Sequence, residues 1–251
     1  MRPQLALAIG ASVLVMGVAS GCAYNEALGR DQFLITNDAA LTQQADAAWA
    51  ETLRTQTVIR DAAQNERVRR VGDRVVNAAG LGGRSWEYAV FQDSKPNAFV
   101  LPSGKIGVTS GLLSLVQNDD QLAAVLGHEV GHVVARHAAE RYSTTAVAQA
   151  GVGLAQGVAG DYGQAAGALG SLGAQFGVLL PFSRRDELEA DRLGVDYMQA
   201  AGYQPRESIL LWQLMAAQSG RSSTPQFAST HPSDQTRIAA LEAYLTQRGW
   251  N

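Results

Sequence analysis

The stretch on which the reading of this chain turns is Asp119-Asp120-Gln121-Leu122-Ala123-Ala124-Val125-Leu126-Gly127-His128-Glu129-Val130-Gly131-His132. Leu122, Val125, Leu126, Val130, Val133 and Val134 recur at three- and four-residue steps, which predicts one apolar-striped helix of roughly 20 residues. Asn118 or Asp119 is placed to cap it, and Gln121 to complete a capping box. Residues four apart on such a helix lie nearly above one another, so His128 and His132 project from one face and can hold one metal ion. Glu129 leans from the same side, close to that ion but badly directed to be its third ligand. This is the H-E-x-x-H arrangement, with zinc between the imidazoles and Glu129 on the zinc-bound water. A solvated polar stripe could carry the same residues. Here they lie inside an apolar helix, where uncompensated polar groups are costly.

Two histidines leave zinc short of a ligand, and catalytic sites take a third from the protein and leave one position to water. The candidate stretch is Ser183-Arg184-Arg185-Asp186-Glu187-Leu188-Glu189-Ala190-Asp191-Arg192, the start of a helix continuing through Leu193, Tyr197 and Met198. Glu187 and Asp191 share a face, whereas Glu189 is turned away by about 200°. Glu187 is therefore expected on the metal. Asp191, one turn along, is expected behind it, accepting a hydrogen bond from the outer nitrogen of His128 or His132 and fixing its tautomer. The alternative is a charged surface helix in which Arg184, Arg185 and Arg192 make exposed ion pairs of little worth. His137 comes about half a turn out of phase with His128 on a continuous helix, so it is expected to point away from the metal and to serve Glu140.

Around these two helices the spacing predicts a mainly helical α+β domain of zincin type. An Ala/Gln-rich helix runs from Asp38 to about Thr57, carrying Leu41, Ala45, Trp49 and Leu53, and a second from Asp61 to Ala79, ended by Gly80. Trp86 to Gln92 alternates as a strand. Phe99-Val100-Leu101 and Lys105-Ile106-Gly107-Val108-Thr109 flank Pro102-Ser103-Gly104 as a hairpin. Pro102 cannot donate to a ladder, which puts its strand at the sheet edge beside the metal helix. Asn97, Ala98 and Phe99 on that edge could hold an extended peptide by backbone hydrogen bonds, or the edge could simply be blunted by proline. Gly127 and Gly131 each cost the helix about 1 kcal/mol relative to alanine and suggest close approach by another backbone. Residues 146 to 180 carry glycine every three or four positions and read either as a tightly packed helical hairpin or as a mobile cover over the groove.

With 251 residues, 46% hydrophobic and 17% charged, the chain suits one domain with a real core. Its net charge of -3 argues against nucleic acid as a partner. Residues 1–21 read as a signal peptide: Arg2, an apolar run from Leu5 to Val18, then Ala19-Ser20-Gly21. The run is short for a membrane span. Cys22, the only cysteine, cannot form an intrachain disulfide, and Ala19-Ser20-Gly21-Cys22 resembles the lipobox of bacterial lipoproteins, although leucine usually stands where Ala19 does. Ordinary signal cleavage is the rival. Residues 22–37 are then expected to be a lipidated polar tether and 38–251 the metal-binding domain. By the same resemblance, Ala23 after the cysteine favours the outer over the inner membrane.

His128-Glu129-Val130-Gly131-His132 followed by Ser-Arg-x-x-Glu-x-Glu-Ala-Asp at 183–191 resembles the HtpX-like zinc metalloendopeptidases, above all their periplasmic lipoprotein members of LoiP and BepA type. Asn97 to Pro102, Thr109-Ser110-Gly111-Leu112 and Thr230-His231-Pro232-Ser233 with Arg237-Ile238 are similar to further family elements, so the resemblance covers about Gly29 to Leu245. It implies one zinc ion per chain on His128, His132 and Glu187, with Glu129 as general base, Asp191 behind the ligands and His231 near the metal. His231 would cap the open coordination position at rest or assist the reaction; a plain helix-entry residue before Pro232 is the other account. The implied activity is hydrolysis of peptide bonds in misfolded or misassembled envelope proteins by a periplasmic enzyme anchored to the outer membrane through Cys22. Unfolded polypeptides are the implied substrates, and the outer-membrane assembly machinery is a candidate partner. The chain stops at Asn251, where BepA-like proteins continue into helical repeats, so recruitment through such repeats is not expected. The family's transmembrane helices are missing, with the lipid expected to serve instead. A chaperone-like assembly factor with a mostly closed zinc site is the alternative function, and an inert lipoprotein without stoichiometric zinc a third.

Overall fold

The computed structural model of the protein describes residues 21–155, 182–219, 231 and 235–250. The expected signal peptide lies outside the described residues apart from Gly21, as does the 146–180 segment beyond Ala155.

Asn37 and Asp61 start the first two helices in the same way, each side chain accepting a backbone N–H of the turn that follows: α1 is Asp38–Thr55 and α2 is Ala62–Ala78. Gly80, at φ +74°, ends α2 as its position suggests. The strands β3 (Glu87–Phe91), β4 (Ala98–Leu101) and β5 (Lys105–Thr109) form one sheet in the order β3-β5-β4, with β4 antiparallel and β3 parallel to β5. The hairpin turns at Pro102-Ser103-Gly104, and β4 pairs with no other strand among the described residues. Thr109 Oγ1 fastens the far end of the hairpin, accepting from the Asn97 and Leu112 N–H groups and donating to the Lys95 carbonyl.

The remaining helices are α3 (Ser110–Leu115), α4 (Asp119–Val134), α5 (His137–Ala155), α6 (Arg184–Ala200), α7 (Glu207–Ser219) and α8 (Gln235–Arg248). Asn118 caps α4 by accepting from the Gln121 N–H, while Gln121 Oε1 accepts from Gln117, one residue before the box position. Every residue of α4 from Gln121 to His132 is buried. It is the central rod of the domain. Helix α2, one face of the sheet and helices α6, α7 and α8 surround it, and α1 closes the sheet's other face through Ala45 and Trp49 against Phe91 and Leu101.

The closest packing is α4 on α6. A Cβ on Gly127 would stand 2.8 Å from the Gly194 carbonyl oxygen, and one on Gly131 2.8 Å from that of Ala190. Backbone approach thus explains both glycines. It also brings the start of α6, with its carboxylates, onto the histidine face of α4.

Two expectations fail. The stretch 22–37 is not a tether: β1 (Cys22–Asn25) and β2 (Arg30–Phe33) pair antiparallel as a hairpin, which docks where α4 ends. Asn25 Nδ2 donates to the Val134 carbonyl at 3.2 Å and Gln32 Nε2 to that of Ala135 at 2.7 Å, satisfying acceptors that a helix leaves open at its C-terminus. Nor does α4 run for 20 residues. It stops after 16 at Val134, Arg136 adopts φ +54°, and α5 starts in a new direction at His137.

Candidate metal centre

Helix α4 presents His128 and His132 one turn apart, their Nε2 atoms 3.1 Å from each other. Helix α6 is started by a capping box between Ser183 and Asp186, and this fixed start sets Glu187 opposite them. Its oxygens lie 3.4 Å from His128 Nε2 and 3.6 Å from His132 Nε2. His231 adds Nδ1 at 3.2 Å from His128 Nε2 and 3.0 Å from Glu187 Oε1. These four side chains are all buried. A tetrahedron with ligand arms of about 2.0–2.1 Å has edges of about 3.3 Å, so the donor spacing and the His/His/carboxylate chemistry fit zinc.

The groups behind the donors settle their protonation. His128 Nδ1 donates to Asp191 Oδ1 at 2.9 Å, which makes Nε2 the nitrogen that would bind an ion. Without metal, burial pulls the His128 imidazole down, but its bonds to Asp191 and Glu187 outweigh burial and carry it up to about 9. Burial and the neighbouring His128 hold His132 far below the ordinary value, since two imidazoles at this separation cannot both be charged. Glu187 is lowered against its burial by His128 and His231. Burial pushes the Glu129 carboxyl up, and its Oε1 lies 3.3 Å from His231 Nε2.

Glu129, His132 and His231 open onto a cavity of about 640 Å³ that is also lined by Asn97, Ala98 and Phe99. Sequence spacing thus brings together His128, Glu129, His132, Glu187, Asp191, His231 and the β4 edge. Cys22 is set apart, exposed on β1.

The placement of His137 differs from expectation. Because the helical path breaks at Arg136 between α4 and α5, its Nδ1 lies 2.9 Å from His132 Nδ1, and its Nε2 3.0 Å from Glu189 Oε2. It faces the site instead of leaving it. Glu140, its expected partner, is held by Arg30, Gln32 and Arg185. Glu189 does turn away from the metal, as the helical angle requires, and lands on His137 and Arg30.

Two further residues escaped sequence reasoning. Arg237 of α8 is 1% exposed and ties Glu187 to Asp191: NH1 is 2.6 Å from Glu187 Oε2, and Nε and NH2 donate to Asp191 at 2.8 and 2.6 Å. Its guanidinium also lies over the Trp212 ring at 4.8 Å. Phe182 stacks on His132 with ring centroids 3.9 Å apart, and the Arg141 guanidinium lies over the Phe182 ring, 4.0 Å from its centroid. A charged residue six places after His231, beside Ile238, was the one sequence signal for Arg237.

Comparison with known sequences decides the family. The profile of Peptidase family M48 matches residues 62–245 and so takes in every donor. The chain belongs to peptidase family M48. M48 metallopeptidases use zinc, in agreement with the donor set of this M48 chain. It is similar to the mitochondrial metalloendopeptidase OMA1 of Schizosaccharomyces pombe, 41% identical over 181 residues that make up 72% of this chain and 52% of that one. The mitochondrial metalloendopeptidase OMA1 of Bos taurus is 30% identical over 240 residues, 88% of this chain and 44% of the relative. The beta-barrel assembly-enhancing protease of Yersinia pestis is 30% identical over 190 residues, 72% and 39%. This M48 chain spans about half the length, or less, of these relatives. The motif resemblance to zinc metalloendopeptidases holds at the level of the family.

Proposed function

We propose that the chain is a zinc-dependent endopeptidase of the bacterial cell envelope, of the lipoprotein type that its motifs resemble, acting on misfolded or misassembled envelope proteins. The observation that carries the peptidase reading is the convergence of the His128 and His132 Nε2 atoms with Glu187, next to a groove that His132 and Glu129 line. Zinc held by His128, His132 and Glu187 would supply Lewis-acid polarisation of a peptide carbonyl and acidify the attacking water to a pKa of about 7. Glu129 would accept a proton from the attacking water and return it to the departing amine. Its burial, which raises its proton affinity above that of an ordinary carboxylate, suits both halves of that exchange. The free edge of β4 aligns an extended peptide through its main chain, and beside it lies Asn97, whose buried Oδ1 has no hydrogen-bond partner among the described residues. Side chains of the substrate are read weakly in such a mode, which suits unfolded polypeptides.

His231 Nδ1 stands among the ligand atoms, where it would be a fourth donor to a bound ion. This favours a capped resting state and also supports the second reading, a chaperone-like envelope factor whose closed zinc site binds client strands without cutting. Zinc analysis with casein digestion, on wild type, Glu129→Gln and His231→Ala, separates these. Faster cleavage by His231→Ala supports the cap, and its inactivity assigns His231 to the reaction. If Glu129→Gln keeps zinc and cleaves at the parent rate, the mechanism is wrong; if wild type holds zinc but never cleaves, the chaperone reading replaces it.

The envelope location rests on the apolar run at 5–18, on Ala19-Ser20-Gly21-Cys22 and on the relatives named for β-barrel assembly. Lipid on Cys22 would anchor the protein in the periplasm at the outer membrane, where the assembly machinery is a candidate partner. Among the described residues no helix is long and apolar enough to cross a membrane. Labelled-lipid incorporation that persists in Cys22→Ala would refute the anchor.

A further inference from the structure

The zinc reading gives His128 a carboxylate to fix its tautomer, but His132 has none. For His132 Nε2 to carry a lone pair toward the ion, its Nδ1 must hold the proton and find an acceptor. The atom facing it is His137 Nδ1, at 2.9 Å, with the two rings inclined by 70°. His137 can accept there only if its own proton sits on Nε2, and that atom faces Glu189 Oε2 at 3.0 Å. Glu189 in turn is gripped by Arg30 of the N-terminal hairpin, with Nε on Oε1 at 2.7 Å and NH2 on Oε2 at 2.8 Å.

We propose that His137 and Glu189 are positioning residues that set the tautomer and the ring orientation of the metal ligand His132, and that the hairpin residue Arg30 locks them. The order of donation is fixed throughout: His132 Nδ1–H to His137, His137 Nε2–H to Glu189, Arg30 N–H groups to Glu189. Each member is 20% exposed or less at its side chain, so water does not compete for these bonds freely. His137, Glu189 and Asp186 also lie close enough to hold a cation of their own. Arg30 already takes both oxygens of Glu189, and one His137 nitrogen is turned to His132, so the relay uses the cluster better than an ion would.

The proposal deepens the zinc reading and rests on it. It accounts for a hairpin at the start of the chain being seated against the metal helix, because the same hairpin supplies Arg30 and caps the carbonyls of Val134 and Ala135.

Its test reads zinc affinity and proton position in the full chain, not cleavage. In zinc-loaded wild type with 15N-labelled histidine, long-range 15N–1H correlations are expected to place a proton on His132 Nδ1 and on His137 Nε2. A His137 protonated at Nδ1 overturns the relay. By chelator competition, His137→Leu should lose about 10- to 100-fold in zinc affinity. His137→Asn, whose amide oxygen can still accept from His132, should recover part of that loss. Glu189→Gln, equal in size, turns a donor toward either His137 or Arg30 and should weaken zinc even if His137→Leu proves unable to fold. Zinc affinity unchanged in Glu189→Gln, or no difference between His137→Leu and His137→Asn where both fold, refutes the proposal while leaving the zinc reading intact. Wild type that binds no stoichiometric zinc sinks the zinc reading itself.

Discussion

Replacing Gly131 by alanine sets two effects of known sign against each other. Helix propensity alone favours Gly131→Ala by about 1 kcal/mol in a helix interior. The structure opposes it. The new Cβ would sit 2.8 Å from the Ala190 carbonyl oxygen and 3.2 Å from the Ala190 Cα, where ordinary contact begins near 3.4 Å, so α6 must retreat by about 0.6 Å. The opposing atoms are backbone and cannot rotate aside, which places the strain in the upper part of the 1–3 kcal/mol range for overpacking. The expected net loss is about 1–2 kcal/mol, a fall in Tm of about 2–8 °C for a domain of this size. Because Glu187 rides on the helix that moves, zinc affinity should fall together with stability, by about 10- to 100-fold. Thermal unfolding of metal-free protein and chelator competition measure the two. Gly83→Ala, whose Cβ would meet nothing within 4 Å, is the control and should change neither. A rise in Tm for Gly131→Ala with zinc affinity intact would show that the helices are not clamped as described.

Other outcomes follow from the same geometry. Arg237→Met leaves the buried carboxylates of Glu187 and Asp191 without their shared cation, so metal-free protein should lose about 3–5 kcal/mol; zinc should recover part of that loss, and equal Tm falls with and without zinc would contradict the bridging role. Asp191→Ala should weaken zinc binding by about 10- to 100-fold by releasing the His128 Nδ1 proton, and an unchanged affinity removes Asp191 from that role. Glu189 is pushed up by burial but pulled further down by His137 and Arg30, to about 2, below its unfolded value of 4.5. Its contribution to stability is therefore complete above about pH 4.5 and lost as pH falls toward 2, and Arg30→Gln should flatten that part of the urea-unfolding profile of metal-free protein. A profile of the same slope in both proteins would mean that Arg30 does not hold Glu189.

Much of the site was legible because it depends on helical spacing. Four-residue steps on α4 and α6 placed His128 over His132 and Glu187 before Asp191, and the capped starts at Asn118 and Ser183 held those steps in phase. Gly127 and Gly131 disclosed the closeness of the helices, and Pro102 the free edge of β4. What could not be read depends on breaks and on tertiary partners. The junction from Val134 to His137 carries no glycine or proline: Arg136 takes a left-handed conformation there, so a phase argument continued through it and sent His137 the wrong way. Arg237 reads as a surface charge in isolation, and only two carboxylates from another helix make its burial tolerable. The strands CAYN and RDQF are four residues each with no apolar alternation, and their polar side chains matter because carbonyls of α4 wait for them.

The left-handed residue at 136 has a consequence for what the chain tolerates. It turns five residues into a ruler between two imidazoles, one facing the ion and one facing its neighbour. Adding or deleting a single position there would swing the start of α5 by about 100° and carry His137 off its mark. The junction should accept new side chains, glycine at 136 among them, yet refuse any change in length, unlike an ordinary surface connection.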